Sequence, residues 1–368
     1  MRTTQLWFSV WSGVRTLGIV TVAALSGCGQ LWRPFLESSD CPDNPAVCPG
    51  PIPNDGGANP IPMPNDFAVP YFRIEPSGTM QNLYGIWGTN AVDADDRTIL
   101  HTPIWTVGVF GTVLQRNSQF GSWKQESLIP TINTLYAVSG RNENDVLVVG
   151  DMQVSVAWNG MSWTVNQPSD MAVPPPFLSV APVSQSSYLA VGRGNTAYTI
   201  TSQNRAVATF SAKLPATDFT SVYTSPSGAP SHISAINGDI YKYAGSDASS
   251  YGLKAPGSIN AIWLRSANDG WAVGDSGLVL HYDGSSWVLV MLPQVAALPS
   301  LRAVHGNSMG QVWAVGDIGT ILYFDGTWQM QQDASRANLH GVWVDPVTGG
   351  VWIVGDSGII LHAGPATR

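Results

Sequence analysis

Charged side chains are scarce in this sequence. They make up 11% of its 368 residues, and only four residues are lysine. The 25 acidic residues outnumber the 17 basic ones, which gives a net charge of −8. A nucleic-acid-binding protein needs a dense basic face to neutralise phosphates, so we expect no nucleic acid as a partner. Low charge does not predict disorder here, because 44% hydrophobic residues and fifteen tryptophans can build a core.

Long hydrophobic runs are also lacking. The apolar stretch 17–25 follows two arginines but has only nine residues, against the ~20 of a transmembrane helix. It ends in Leu25-Ser26-Gly27-Cys28, which resembles the lipobox of bacterial lipoproteins. The resemblance implies a signal peptide over residues 1–27, acylation (palmitate) of Cys28 and a lipid anchor in the bacterial cell envelope. Gly29, in place of Asp, implies the outer membrane. The alternative is an ordinary signal peptide with an unrelated cysteine.

Cysteine is rare, and only Cys41 and Cys48 remain beyond Cys28. In an oxidising compartment two nearby cysteines usually pair, so we expect a small disulfide loop. A metal site would need two more ligands, and no histidine lies near. Residues 29–66 hold nine prolines and few core-forming residues. The sequence therefore predicts that residues 28–66 form an extended tether.

What the sequence has in abundance is repetition, over residues 67–368. Seven units of about forty residues each open with an apolar residue, two spacers and then Val or Ile. The openers are Leu83, Leu135, Phe177, Phe219, Ile259, Leu301 and Leu339. In the sixth unit the pattern predicts strands at 301–305, 312–315 and 320–324, and a fourth starting at Thr327. Four antiparallel strands per unit are typical of a propeller blade, so the fold class is an all-β, seven-bladed β-propeller.

Two further patterns set the topology of this propeller. The third residue of each first strand is small, as expected for strands that crowd the central axis: Gly85, Ala137, Ser179, Ser221, Ala261, Ala303 and Gly341. The seventh unit ends without a fourth strand, and residues 68–76 are expected to supply it and close the ring. The first unit carries an insertion at 90–104, and the third and fourth units fit the pattern least well.

The repeated phrase VGDxG, followed by Asp-Gly and Trp, resembles the BNR or Asp-box propeller repeats. It is similar also to repeats of the photosystem II stability and assembly-factor type. The residues that carry the resemblance are Gly274, Asp275, Gly277, Asp283, Gly284, Trp287, Gly316, Asp317, Gly319, Asp325, Gly326 and Trp328. The resemblance implies a propeller and says little about activity, since function lies in sites grafted on a fold.

The recurring polar residues are expected to be structural. Asp275, Asp317 and Asp356, with Asp283 and Asp325, should stabilise their own turns through backbone N–H groups. Because equivalent positions of different blades lie apart, they should not converge on one metal ion. No cofactor fingerprint appears, so no cofactor, metal or catalytic residue is predicted. One enzyme alternative remains: the segment 71–76 contains Phe72-Arg73-Ile74, similar to the Phe-Arg-Ile-Pro element of sialidases, but Glu75 interrupts it.

The binding site is predicted two residues beyond the small ones, at one mouth of the central channel. Its candidate residues are Trp87, Tyr223, Trp263, His305 and Trp343, because exposed aromatics are favoured anchors for partners. Tyr84, Arg302 and His340 are expected to line the same region. The alternative is that the aromatic ring packs the blades. The predicted function is a non-catalytic, lipid-anchored envelope protein that binds an envelope or surface protein. Glycan binding is the first alternative. The second alternative is a sialidase-like glycoside-processing enzyme, which would have several carboxylates or arginines together at one mouth of the channel.

Overall fold

The computed structural model describes part of the chain. It covers residues 71–364 apart from 90, 93–98, 101–102, 118–120, 128, 167–172, 202–205, 209–215, 227, 246, 293–297 and 332–334. These residues belong to a unit that spans Asp66–Arg368, separate from the unit Met1–Asn65. The predicted signal peptide, lipidation site, tether and cysteine pair all lie outside the described residues. No helix among the described residues is long and apolar enough to cross a membrane.

The repeats fold into seven four-stranded antiparallel sheets, which confirms the seven-bladed β-propeller. The first strand along the chain, β1 (Arg73–Glu75), precedes the first blade. The strands of the first blade are β2 (Leu83–Gly88), β5 (Ile104–Gly108), β6 (Val113–Arg116) and β7 (Lys124–Gln125), with a hairpin of β3 (Ala91–Val92) and β4 (Ile99–Leu100) inserted after β2. The hairpin accounts for the predicted insertion.

The next three blades are equally complete. The strands of the second are β8 (Leu135–Asn142), β9 (Asp145–Gly150), β10 (Ser155–Trp158) and β11 (Trp163–Asn166). Those of the third are β12 (Phe177–Pro182), β13 (Ser187–Gly192), β14 (Thr196–Thr201) and β15 (Ala206–Ala208). Those of the fourth are β16 (Phe219–Ser225), β17 (Gly228–Ala235), β18 (Ile240–Ala244) and β19 (Asp247–Ser250). The third and fourth blades thus keep four strands without the repeated turn motif.

The last three blades complete the ring. The strands of the fifth are β20 (Ile259–Ser266), β21 (Asp269–Gly274), β22 (Val279–Tyr282) and β23 (Trp287–Leu289). Those of the sixth are β24 (Leu301–Gly306), β25 (Val312–Gly316), β26 (Ile321–Phe324) and β27 (Trp328–Gln331). The seventh contains β28 (Leu339–Val344), β29 (Val351–Gly355) and β30 (Ile360–Ala363).

The fourth strand of the seventh blade is β1, as the sequence predicts. It pairs antiparallel with β30, with Arg73 opposite His362 and Glu75 opposite Ile360. The innermost strands of neighbouring blades contact one another all the way round, and β2 of the first blade contacts β28 of the seventh. Closure removes the free sheet edge that an open array would present.

The core lies between the blades. All seven opening residues, such as Leu83 and Phe177, are fully buried. The second strands of the fifth, sixth and seventh blades are buried on both faces, which matches their unbroken apolar sequences. Aromatic rings bridge adjacent blades: Trp271 of the fifth lies 4.6 Å from Phe324 of the sixth, centroid to centroid. Aromatic side chains therefore pack neighbouring blades against each other.

Single 3₁₀ turns join the second and third strands in five blades. They span Val109–Gly111, Asp151–Gln153, Asp275–Gly277, Asp317–Gly319 and Asp356–Gly358. The sequence predicts positive φ at the closing glycine, and Gly319 has a φ of 66°. The residue before it is left-handed as well, as at Ile318 with a φ of 57°. Two consecutive left-handed residues reverse the chain within the turn.

Candidate binding site at the channel mouth

The small residues of the innermost strands line a central cavity of about 330 Å³. All seven of them, from Gly85 to Gly341, contribute to its wall. Neighbouring strands approach closely there, because a Cβ added at Gly341 would lie 2.8 Å from the carbonyl oxygen of Tyr84 in the next blade. Crowding of backbones at the axis therefore selects small side chains, as the sequence analysis inferred.

A β-bulge interrupts every innermost strand between its opening residue and its small residue. A bulge inserts one extra residue and re-aims its side chain. The inserted residues stand at one end of the channel, which we call the turn mouth because the 3₁₀ turns lie beside it. They are Tyr84, Tyr136, Leu178, Thr220, Asn260, Arg302 and His340. All seven line a second cavity, of about 750 Å³.

Aspartates of the 3₁₀ turns contact these bulge residues. Arg302 donates two hydrogen bonds to Asp317, at 2.9 and 2.6 Å. In the fifth blade the amide of Asn260 donates to Asp275 Oδ1 at 3.0 Å. In the seventh, His340 Nε2 lies 2.7 Å from Asp356 Oδ1. The turn aspartates therefore hold the polar side chains at the mouth in place.

This arrangement differs from the expected role of the turn aspartates. Asp275, Asp317 and Asp356 bond to a side chain of their own blade's innermost strand, whereas we expected bonds to the backbone of their turns. The difference follows from the bulge, which brings its side chain within reach of the turn. The expected geometry is found at Asp283, whose Oδ1 accepts the backbone N–H groups of Ser285 and Ser286 at 2.8 Å. These bonds lower the pKa of Asp283.

The fifth predicted turn aspartate lies in the hairpin position equivalent to that of Asp283. Asp325 stands in the hairpin between β26 and β27, where its Oδ1 accepts a 3.4 Å bond from Gln329 Nε2. Among the described residues, no group of three or more His, Cys, Asp or Glu side chains is arranged to hold a metal ion.

Aromatic side chains of three adjacent blades meet at the turn mouth. The ring centroid of Tyr84 lies 5.4 Å from that of Tyr136 and 5.0 Å from that of His340. The planes are tilted by 48° and 52°, so the three rings form an arc. Burial and the hydrogen-bonded Asp151 raise the pKa of Tyr136 to about 12, which keeps its hydroxyl protonated. We call Tyr84, Tyr136 and His340 the aromatic arc.

The predicted binding residues lie at the opposite end of the channel. A separation of three residues along a strand is roughly 10 Å, so Trp87 and Tyr84 of one strand reach different mouths. Trp263 and Trp343 are only 4% and 3% exposed. Each packs on a glycine of the next blade: a Cβ at Gly88 would lie 2.7 Å from the Trp343 ring. Trp87 covers Gly140 and Trp263 covers Gly306 in the same manner.

The other two predicted residues are also engaged within the wall. His305 Nδ1 accepts the backbone N–H of Val344 at 3.1 Å, and burial lowers its pKa to about 3. Burial raises the pKa of Tyr223. Trp263 and Trp343 therefore pack neighbouring blades together, whereas Trp87, Tyr223 and His305 are half-buried and, with Trp343, line the central cavity. Tyr84 and His340, expected beside them, line the same central cavity and also the turn mouth, whereas Arg302 lines the turn mouth alone.

The sialidase-like segment serves ring closure. Glu75 on β1 lies 3.5 Å from Arg116 Nη2 of the first blade and 3.0 Å from His362 Nδ1. Arg73 projects from the same strand and is 62% exposed. Arg73 lies on an outer strand, away from either mouth of the channel. This position accounts for the motif without catalysis.

The seven inserted bulge residues were not predicted to lie together at one mouth. Tyr136, Asn260 and Asp275 were missed as mouth residues. The sequence did contain a signal for the bulge. The opener and the Val or Ile three positions later are both apolar, and both are buried, as Leu301 and Val304 are. Burial at an odd spacing breaks the period of two in a strand and indicates a bulge.

No family model and no curated protein matches the chain. Solved structures do match and define the class: β-propeller proteins. YCF48 from Cyanidioschyzon merolae is 16% identical with a TM-score of 0.63, over 81% of this chain and 99% of that one. YCF48 bound to D1 peptide is 17% identical with a TM-score of 0.62, over 80% and 96%. Virginiamycin B lyase from Staphylococcus aureus is 12% identical with a TM-score of 0.64, over 80% and 99%. At these sequence identities the similarity establishes the fold. The two YCF48 matches agree, for the fold, with the resemblance of the sequence repeats to the photosystem II assembly-factor type.

Proposed function

We propose that this chain is a non-catalytic, lipid-anchored envelope protein whose propeller binds a protein partner at the turn mouth. One observation carries the choice of site. All seven blades have an apolar opener and a small residue, yet the bulge position differs in kind from blade to blade, from Tyr84 through Leu178 to Arg302. Packing requirements are alike at equivalent positions, so this variation at an open cavity is expected where a surface is shaped for a ligand.

The fold neighbours support a protein partner. One of the matched structures is of YCF48 bound to D1 peptide, and another is the WD40 β-propeller domain of Doa1. A propeller of similar fold therefore holds a peptide. The partner proposed for the present chain is an envelope or surface protein, reached from a membrane-anchored position.

Photocrosslinking tests the turn mouth as the binding surface. A benzophenone amino acid at position 84 is expected to crosslink a discrete protein in the native envelope. The matched control places it at Met330, which is 50% exposed on the outer strand β27. The same crosslinked band from both positions, or none from position 84, would reject the turn mouth. Competition by unlabelled wild-type protein should abolish the band.

The anchor is proposed from the lipobox. Acyl chains on Cys28 would hold the mature chain on the outer membrane, with residues 28–66 as a spacer and a Cys41–Cys48 bond stiffening it. Replacing Cys28 by Ala is expected to abolish acylation and move the protein to the soluble fraction, measured by fractionation and mass spectrometry. Cys41→Ala is the matched control and should leave membrane retention unchanged. A Cys28→Ala variant that stays in the membrane fraction would contradict the anchor.

A glycoside-processing enzyme is the second candidate, because two carboxylates, Asp218 and Asp275, and two arginines, Arg193 and Arg302, line the turn mouth. Each carboxylate has a structural partner: Asp218 accepts the N–H of Gly194 at 2.8 Å, and Asp275 accepts from Asn260. We therefore expect no hydrolysis of nitrophenyl glycosides or sialosides. Turnover that disappears in Asp275→Asn would establish this second candidate and overturn the non-catalytic proposal.

A further inference from the structure

The aromatic arc has features that point to a particular ligand chemistry. Its three rings come from the first, second and seventh blades and line the 750 Å³ cavity of the turn mouth. Their planes are tilted by 48° and 52° with respect to one another, so the rings do not form a flat stacking platform. Aromatic ring faces carry negative potential and attract cations positioned over them. In the described part of the chain, the arginines stacked on rings are Arg116 over Trp352 and Arg141 over Tyr188, both outside the arc.

Carboxylates line this cavity or are hydrogen-bonded to side chains that line it. Two belong to arc residues, Asp151 beside Tyr136 and Asp356 beside His340. Asp218 and Asp275 line the cavity wall. Asp317 neutralises Arg302 through a bidentate pair. Asp218 and Asp275 line the cavity with Arg193 and Arg302, and the other three carboxylates are hydrogen-bonded to side chains that line it, so the formal balance at the mouth and next to it is five carboxylates against two guanidinium groups.

We propose that the turn mouth binds a cationic side chain, lysine or arginine, that the protein partner inserts against the aromatic arc. This inference rests on the proposed function and specifies what the mouth recognises. The rings of Tyr84 and Tyr136 supply cation–π contact, and the surrounding carboxylates supply charge at a site partly withdrawn from water. An anionic ligand would meet the excess of carboxylates.

Fluorine NMR of full-length protein labelled with 3-fluorotyrosine tests the proposal. The probe is Nα-acetyl-lysine N-methylamide, and its neutral control is the norleucine counterpart, which has the same stem without the ammonium. The Tyr84 and Tyr136 resonances, assigned with the Tyr84→Phe and Tyr136→Phe variants, are expected to shift with the lysine probe alone. Tyr71, 88% exposed, is the internal control and should not shift.

Two variants check the chemistry. Tyr84→Leu is expected to weaken lysine-probe binding roughly 3- to 30-fold, followed at Tyr136. Asp275→Asn should also weaken it, whereas Asp283→Asn, a matched change in an exposed hairpin, should not. The resonances of tyrosines outside the mouth report that each variant is folded.

Equal shifts with the norleucine probe, or none with lysine, would overturn the proposal. Arc resonances that respond to methyl glucoside but not to lysine would overturn it in favour of a glycan site. These failures are distinguishable from failure of the proposed function. A position-84 crosslink to a protein, combined with no lysine response, rejects cation recognition and leaves protein binding standing.

Discussion

At the residue scale, buried histidines make the stability of this protein depend on pH. His232 on β17 is 1% exposed and is packed against Tyr251, Tyr282 and Trp287. Its Nε2 lies 3.3 Å from the Tyr251 hydroxyl. Burial, with a smaller contribution from Lys242, lowers its pKa to about 4. The imidazole is therefore neutral in the folded protein where it would be partly charged in the unfolded chain.

The sign of the effect follows from proton linkage. An unfolded histidine titrates near pH 6.5, so between pH 6.5 and 4 the unfolded state binds more protons than the folded one. Stability is fully present above pH 6.5 and falls towards pH 4, by up to about 3 kcal/mol from this residue. His232→Phe should flatten the pH dependence of the unfolding free energy in that window, measured by urea titration. Met330→Leu, at a 50% exposed site on β27 without a titratable group, is the control and should leave the slope unchanged. An unchanged slope in His232→Phe would contradict the argument.

At the element scale, the innermost strands show which parts of the site could be predicted. Small residues such as Gly85 and Ala303 are visible in the sequence because the axis imposes the same crowding on every blade. The bulge was not predicted, and Tyr84 was expected in the same region as Trp87 because it lies beside the small residue Gly85. The contact between Trp343 and Gly88 could not be predicted either, because the two residues belong to the seventh and first blades and are far apart in the sequence.

Tryptophan–glycine pairs between adjacent innermost strands can be tested by substitution. At Gly88 the three atoms nearest an added Cβ all belong to the Trp343 ring, at 2.7 to 3.0 Å. Gly88→Ala is expected to cost about 1–3 kcal/mol, because overpacking forces a side chain off its rotamer. Trp343→Phe alone leaves a cavity. In the Gly88→Ala/Trp343→Phe double variant, the smaller ring should restore much of the unfolding free energy that Gly88→Ala removes. Gly364→Ala, with open space around it, should be neutral. Additive effects in the double-mutant cycle would rule out the direct contact.

At the scale of the whole molecule, the chain is held as a ring by a strand of three residues. The fold, its seven blades and this closure were all predictable, because a repeat of about forty residues admits few architectures. What reinforces the closure was not predictable. Glu75 of β1, Arg116 of β6 and His362 of β30 are close in space but far apart in sequence. Arg116 also lies 4.3 Å from the Trp352 ring, which stacks on His362.

Removing the carboxylate at this junction should loosen the ring. Arg116 is 4% exposed and Glu75 12%, so Glu75→Gln withdraws a charge partner from a buried guanidinium. We expect a loss of about 2–4 kcal/mol in unfolding free energy. Arg73→Gln, at a side chain 62% exposed, is the control and should change stability by less than about 0.5 kcal/mol.

The stabilisation by Glu75 should also depend on pH. Because its neighbours hold the pKa of Glu75 below its usual value, this stabilisation should persist at pH values above the usual pKa and fade as pH falls through the pKa of the folded state. Equal stabilities of Glu75→Gln and Arg73→Gln would show that backbone pairing of β1 alone closes the ring.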